Sequence, residues 1–202
     1  MNIFTRRHFL QSAGAACTLA GLPAWAADAF PTKPLTLVVP YPAGGASDAS
    51  ARIFAESFTQ SFKQQVIVEN YGGGTGLIGA NKVLSAPADG YTFLHGSPNE
   101  VILPPMLNPA ARYKPGDFVF AAPITTASIV LLVRNGIPVS TMDEFLDYAR
   151  NNKDKPLSYA SVGIDSLYHL MGDAQAARLS LPFLHVPYKG AAPALQDLAG
   201  GQ

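Results

Sequence analysis

Cysteine is almost missing from this chain: Cys17 is the only one in 202 residues. Without a second thiol there is no intrachain disulfide, no Cys-x-x-Cys redox pair and no cysteine-built zinc site. Charge is sparse and balanced, 14 Lys and Arg against 14 Asp and Glu. That excludes a polycationic nucleic-acid binder and a polybasic membrane-surface segment. Long apolar runs are missing as well. The longest beyond the N-terminal region, Ile129–Val133, is strand-sized and far too short to span a bilayer. The four histidines form no HxxxH, HExxH or Cys/His cluster, so no metal centre is indicated. What the chain has is apolar residues, 48% of the total, too many for a disordered chain.

Residues 1–26 read as a targeting segment. Thr5-Arg6-Arg7-His8-Phe9-Leu10 is a twin-arginine pattern, Ala13–Leu22 is a short apolar run of small residues, and Ala24-Trp25-Ala26 is an A-x-A cleavage site. A soluble N-terminal helix would not explain the order of these three parts. The reading is a twin-arginine signal cleaved after Ala26, hence export to the periplasm by the twin-arginine machinery. Cleavage removes Cys17, Arg6 and Arg7, leaving 12 basic against 14 acidic residues. The remaining chain of about 175 residues is long enough for a real core, in one domain or two small ones.

The stretch Leu35–Phe62 carries the strongest pattern. Leu35–Val39 reads as a buried strand, and Tyr41-Pro42-Ala43-Gly44-Gly45 as a tight glycine turn. Ser47 or Asp48 can cap a following helix, with Ile53/Phe54, Phe58 and Phe62 on one face. Strand, glycine turn and capped helix together make a device for holding an anion at a helix N-terminus. The device then recurs. Gln65–Val68 is a second strand, Tyr71–Gly76 a second glycine-rich loop, and Leu77–Ala86 a helix with Leu77, Ile78 and Val83/Leu84 inward. Tyr91–Leu94 is a third strand, leading to Gly96-Ser97-Pro98-Asn99-Glu100.

Residues 102–117 are broken by four prolines and read as an irregular connection. Phe118–Pro123 and Ser128–Val133 are expected as strands. Thr141 and Glu144 form a capping box for a helix through Arg150. Leu157–Ala160 is a strand opening through Ser161–Ser166 into a helix from Leu167 to about Ala177. Phe183–Val186 is the next strand, followed by a helix starting near Pro193. The expectation is α/β, with doubly wound parallel sheets in two lobes. Residues 27–120 would make the first lobe and 121–202 the second, with ligands beyond the carboxyl ends of the strands.

Several short motifs now coincide with one family. Pro40–Gly45 with Asp48 and Ala51-Arg52, Val68-Glu69-Asn70, Gly76-Leu77-Ile78-Gly79, Ala88–Thr92 and His185–Gly190 resemble the Bug-type receptors. These are the periplasmic substrate-binding proteins of tripartite tricarboxylate transporters, and the resemblance covers residues 31–202. It implies a two-lobed Venus-flytrap fold closing on a small carboxylate or related polar metabolite. That ligand would be delivered to the membrane subunits of the transporter, with no chemistry and no cofactor. On the same resemblance, Tyr41, Ala43, Gly44, Gly45 and Asp48 line one side of the pocket and Gly163 and Ser166 the other. Asn99, in the loop after the third strand, joins them.

Two departures stand out. The family's second-lobe loop is usually small and neutral, whereas here Asp165 precedes Ser166. Its carboxylate would repel a bound carboxylate, pair with a ligand amine, or cap the helix and point away; the N-cap preference of Asp favours the last. Members of the family also continue well past Leu198–Gln202, so a fragment with an incomplete first lobe and an unpaired sheet edge is expected. The rival reading is an exported, hydrolase-like α/β enzyme acting on a small anion, with His169 or His185 beside Ser166. Ser166 lacks the Gly-x-Ser-x-Gly elbow and Gly72–Gly76 matches neither dinucleotide nor phosphate-loop motif. Both histidines are therefore expected to be packed structural residues. Lys189 could reach an anion or lie solvated.

Overall fold

The computed structural model describes residues 30–202, of which residues 33–202 cluster as one body. The expected signal segment, with Cys17, lies outside the described residues. Strand β1 (Leu35–Val39) is the centre of a three-stranded parallel sheet, flanked by β2 (Val66–Asn70) and β3 (Thr92–Leu94). Leu35 pairs with Val66 and Val39 with Asn70 on one side, while Thr36 pairs with Thr92 on the other. A central parallel strand is covered on both faces, which is why four of its five residues are apolar, Thr36 being the exception, with no strict alternation. Leu35 and Leu37 are 3% exposed, Val38 and Val39 0%. Burying side chains of this size contributes about 2 kcal/mol each.

Helix α1 (Ala46–Phe62) lies against this sheet through Ala51 and Ala55, whose small side chains let the helix come close. Phe54, Phe58 and Phe62 form a ladder with ring centroids 4.0 and 5.0 Å apart. Ile53, expected on the same face, is 73% exposed; the packed stripe is carried by the alanines. Helix α2 (Leu77–Leu84) behaves likewise. It buries Gly79 and Ala80, and a Cβ on Gly79 would sit 2.7 Å from Pro40 Cα. Backbone therefore packs on backbone there, and Ile78, expected inward, is exposed. A short helical turn, α3 (Pro98–Val101), follows β3, and a second, α4 (Leu103–Leu107), interrupts the connection expected to be irregular.

The expected strands at 118–123 and 128–133 do not form. No backbone hydrogen bond ties residues 119–133 to another described segment, and Val119 and Val130 are 96% and 69% exposed. The composition suits a pleated surface, but a strand exists only where a neighbour accepts its ladder. Past this segment, α5 (Met142–Asn151) opens on the expected capping box: Glu144 N donates to Thr141 Oγ1 and Thr141 N to Glu144 Oε2. A second parallel pair follows, β4 (Leu157–Ser161) with β5 (Phe183–Pro187). Helix α6 (Leu167–Leu179) joins the two strands, and α7 (Ala191–Ala199) follows β5.

Candidate ligand site at the glycine loops

The first loop leaves β1 at Val39 and turns at Gly44, whose φ of 86° is a conformation glycine reaches without a Cβ penalty. Gly45 is the N-cap of α1 and offers no side-chain cap. Neither Ser47 nor Asp48 caps the helix as expected. Asp48 sits in the first turn and reaches back, its Oδ2 accepting from Gly44 N at 2.9 Å and from Arg52 Nε at 3.1 Å. Arg52, then the Gly44 amide, hold this buried carboxyl down at about 2. Asp48 thus shapes the loop from beneath. Ala43 and Gly44 are exposed at its tip, with Tyr41 and Gly45 half-buried below. Asn70 Nδ2 ties the base by donating to Tyr41 O at 3.1 Å.

Pro42 is held between two glycines of other loops. A Cβ on Gly72 would meet Pro42 Cδ at 2.7 Å, and one on Gly190 would meet it at 3.4 Å. Gly190 is the N-cap of α7 and also lacks a side-chain cap. Two uncapped helix starts, α1 and α7, therefore lie close to Pro42. Sequence reasoning missed Gly190 as a site residue, although strand β5, a glycine and a helix repeat the device seen at Gly44 and Gly45.

Below the loop lies a buried acid that sequence reasoning also missed. Glu100 is 0% exposed and accepts from Tyr41 Oη at 3.1 Å, from Ser97 Oγ at 2.9 Å and from Ser97 N. Ser97 and Glu100 form the capping box of α3, a Ser-x-x-Glu spacing legible in the sequence. Gly76, at φ 88°, covers the acid so closely that a Cβ would lie 2.6 Å from Glu100 Cβ. Burial pushes the Glu100 carboxyl up to about 7. Burial, then the Glu100 charge, pushes the Tyr41 hydroxyl well above its ordinary value, so Tyr41 stays a donor at neutral pH.

The second-lobe loop faces the first through two hydrogen bonds. Asn99, 7% exposed, accepts from Leu167 N at 2.7 Å. Thr75 Oγ1 donates to Ile164 O at 2.7 Å. Gly163, at φ 142°, leaves room for Thr75, whose Oγ1 would be 2.9 Å from a Cβ there. Ser166, fully buried, is the N-cap of α6 and accepts from His169 N at 3.2 Å. Asp165 is not the cap. It sits one residue earlier at φ 61°, half-buried, its carboxylate making no hydrogen bond or ion pair among the described residues. His169 and His185 stack with centroids 3.9 Å apart, and His185 Nε2 lies 2.7 Å from Ser161 Oγ. Burial, then His169, lowers the basicity of His185. Among the described residues no cluster of three His, Cys, Asp or Glu side chains is arranged to hold a metal.

Two parallel-sheet units facing each other through their glycine loops define the class: a two-lobed α/β binding-protein fold. Residues 50–202 match the family described as the tripartite tricarboxylate transporter family receptor, TctC, and the chain belongs to that family. Over 198 residues it is 39% identical to a UPF0065 protein from the tcbD–tcbE intergenic region of Pseudomonas sp. strain P51, covering 98% of this chain and 58% of that one. The periplasmic binding protein BugD superposes with a TM-score of 0.68 at 34% identity, over 86% of this chain and 57% of that chain. MatC from Rhodopseudomonas palustris, solved with bound malate, gives 0.73 at 30% identity, over 86% and 59% of the two chains. The chain thus spans a little under three-fifths of these proteins.

Proposed function

We propose that this protein is a periplasmic solute receptor that holds a small carboxylate at the Tyr41–Gly45 loop and passes it to a tripartite tricarboxylate transporter. The observation that carries this reading is the first turn of α1, opened by Gly45 without a side-chain cap and raised to the surface by Gly44. Backbone N–H groups there, aided by the helix dipole, suit a carboxylate. Gly163, Asp165 and Ser166 close the opposite side, joined to the first by Asn99 and Thr75. Family membership and the malate bound to MatC support the ligand class. The hydrolase-like reading loses ground because Ser166 is buried and spent as a cap, leaving no free nucleophile beside His169.

The test is a thermal-shift and calorimetric titration of the full 202-residue chain with malate, adipate and citrate, and with glucose as neutral control. A midpoint that rises with the concentration of one acid and not with glucose supports the receptor, since binding to the native state alone stabilises it. No shift with any of the acids overturns it. Export by the twin-arginine route is part of the same proposal. It predicts a periplasmic product beginning at Ala27, and retention of an Arg6→Lys, Arg7→Lys double variant in the cytoplasm.

A further inference from the structure

The second-lobe loop is held at both ends by histidines. At its start, Ser161 Oγ donates to Gly163 O at 2.9 Å, accepts from Gly163 N at 3.1 Å, and lies 2.7 Å from His185 Nε2. At its end, Asp165 N donates to His169 Nδ1 at 3.1 Å. The other nitrogen of His169, Nε2, lies 3.3 Å from Asp173 Oδ2. Asp173 is fixed in turn by Tyr159, whose hydroxyl donates to Oδ1 at 2.6 Å. The Tyr159 ring is wedged against Gly172, where a Cβ would lie 2.2 Å from the ring, and stacks on His185 at 5.0 Å.

A backbone N–H can only donate, so His169 Nδ1 must present a lone pair, and the proton must sit on Nε2 facing Asp173. Asp165 holds a left-handed φ of 61°, a conformation uncommon for residues with a Cβ though better tolerated by Asp than by most. We propose that His169 is a positioning residue for the ligand loop: its neutral, Nε2-protonated imidazole clamps the Asp165 amide, fixes the Gly163–Ser166 turn, and releases it when Nδ1 is protonated. Around the ring stand the Asp165 amide at Nδ1, on a residue that also carries a carboxylate, the Asp173 carboxylate at Nε2, His185 on its face from β5, and Tyr159 from β4, whose hydroxyl reaches Asp173 Oδ1 and His169 O. The role in ligand binding rests on the receptor reading above; the clamp does not.

The test uses the full chain. Nitrogen-15 imidazole spectra at pH 8 should show His169 with a bare Nδ1 and a protonated Nε2. The Asp165 amide should be protected from hydrogen exchange at pH 8. That protection should fall at least tenfold, at matched intrinsic rate, as the His169 signal titrates. His169→Ala should lose the protection at every pH. His169→Asn, which places a carbonyl where Nδ1 was, should keep it and make it independent of that titration. A proton on Nδ1 at pH 8, or an Asp165 amide equally protected in the wild type and the alanine variant, overturns the clamp. If His169→Ala does not fold, the wild-type tautomer and the asparagine variant still decide. Malate titrations then separate the two readings. A wild type with the clamp but no affinity for malate, adipate or citrate refutes the receptor alone. Affinity for one of them that tracks Asp165 protection supports both.

Discussion

The two glycine loops are built on one plan and finished differently. Each leaves a parallel strand, bends at a glycine with positive φ, and opens a helix. In the first, Gly45 leaves the start of α1 without a side-chain cap, and the nearby acid is turned underneath to Gly44 and Arg52. In the second, the α6 start is largely occupied: Ser166 takes the His169 amide and Asn99 the Leu167 amide, while His169 takes the Asp165 amide just before the helix. A helix N-terminus attracts an anion only while its N–H groups lack partners. In the receptor proposed above, the first loop is therefore the one that would hold the carboxylate, and the second would be a wall shaped beforehand.

The change expected to do most damage strikes the floor shared by both loops. Gly76→Ala would force a Cβ into Glu100 at a positive φ, costing about 4 kcal/mol; a chemical-denaturation series reads it directly. Next comes the acid on that floor. Because the folded Glu100 carboxyl lies near 7 against 4.5 ordinarily, the native state binds the proton more tightly than the unfolded one. Its contribution to stability is complete below pH 4.5 and is lost as pH rises through about 7, a difference of about 3 kcal/mol. Glu100→Gln should flatten that slope, and an unchanged slope would rule out Glu100 as its source.

Asp48→Ala removes the support of the first loop alone, with an expected loss of about 2 kcal/mol for its charge-assisted hydrogen bonds. Its folded carboxyl is near 2 against 3.8 ordinarily, so the sign is opposite to that of Glu100. The stabilisation is present above pH 3.8 and disappears as pH falls through about 2. An acid melt comparing wild type with Asp48→Ala checks this. The smallest effect belongs to Asn99→Ala, about 1 kcal/mol for one hydrogen bond. The Leu167 amide should then exchange faster while the Gly44 amide is unchanged. Equal acceleration at both would mean that the two loops are not independently supported.

The first loop was largely legible in the chain, because its signals are local. A strand with four apolar residues and one threonine, two prolines, two glycines and a helical repeat lie within one contiguous stretch, Leu35–Phe62, and each limits the backbone by itself. Glu100 and Gly190 were harder to find. The acid matters because Gly76 covers it, and Gly190 because Pro42 abuts it, contacts made across 24 and 148 positions of sequence. Periodicity misplaced Ile53 and Ile78 because close packing favoured the small residues beside them, Ala51, Ala55, Gly79 and Ala80. Composition also overstated residues 118–133, whose strand-forming residues have no ladder partner among the described residues.

Sequence alone determined the parallel α/β plan, the order of the five strands and five longer helices among the described residues, and the glycine positions where loops meet helix starts. These follow from short-range rules of side-chain period and backbone freedom. Only the tertiary structure decided which helix start stays open and which is occupied. That choice depends in part on an acceptor brought from elsewhere in the chain, Asn99 to the Leu167 amide, and hydrogen bonding between distant residues has no local signature.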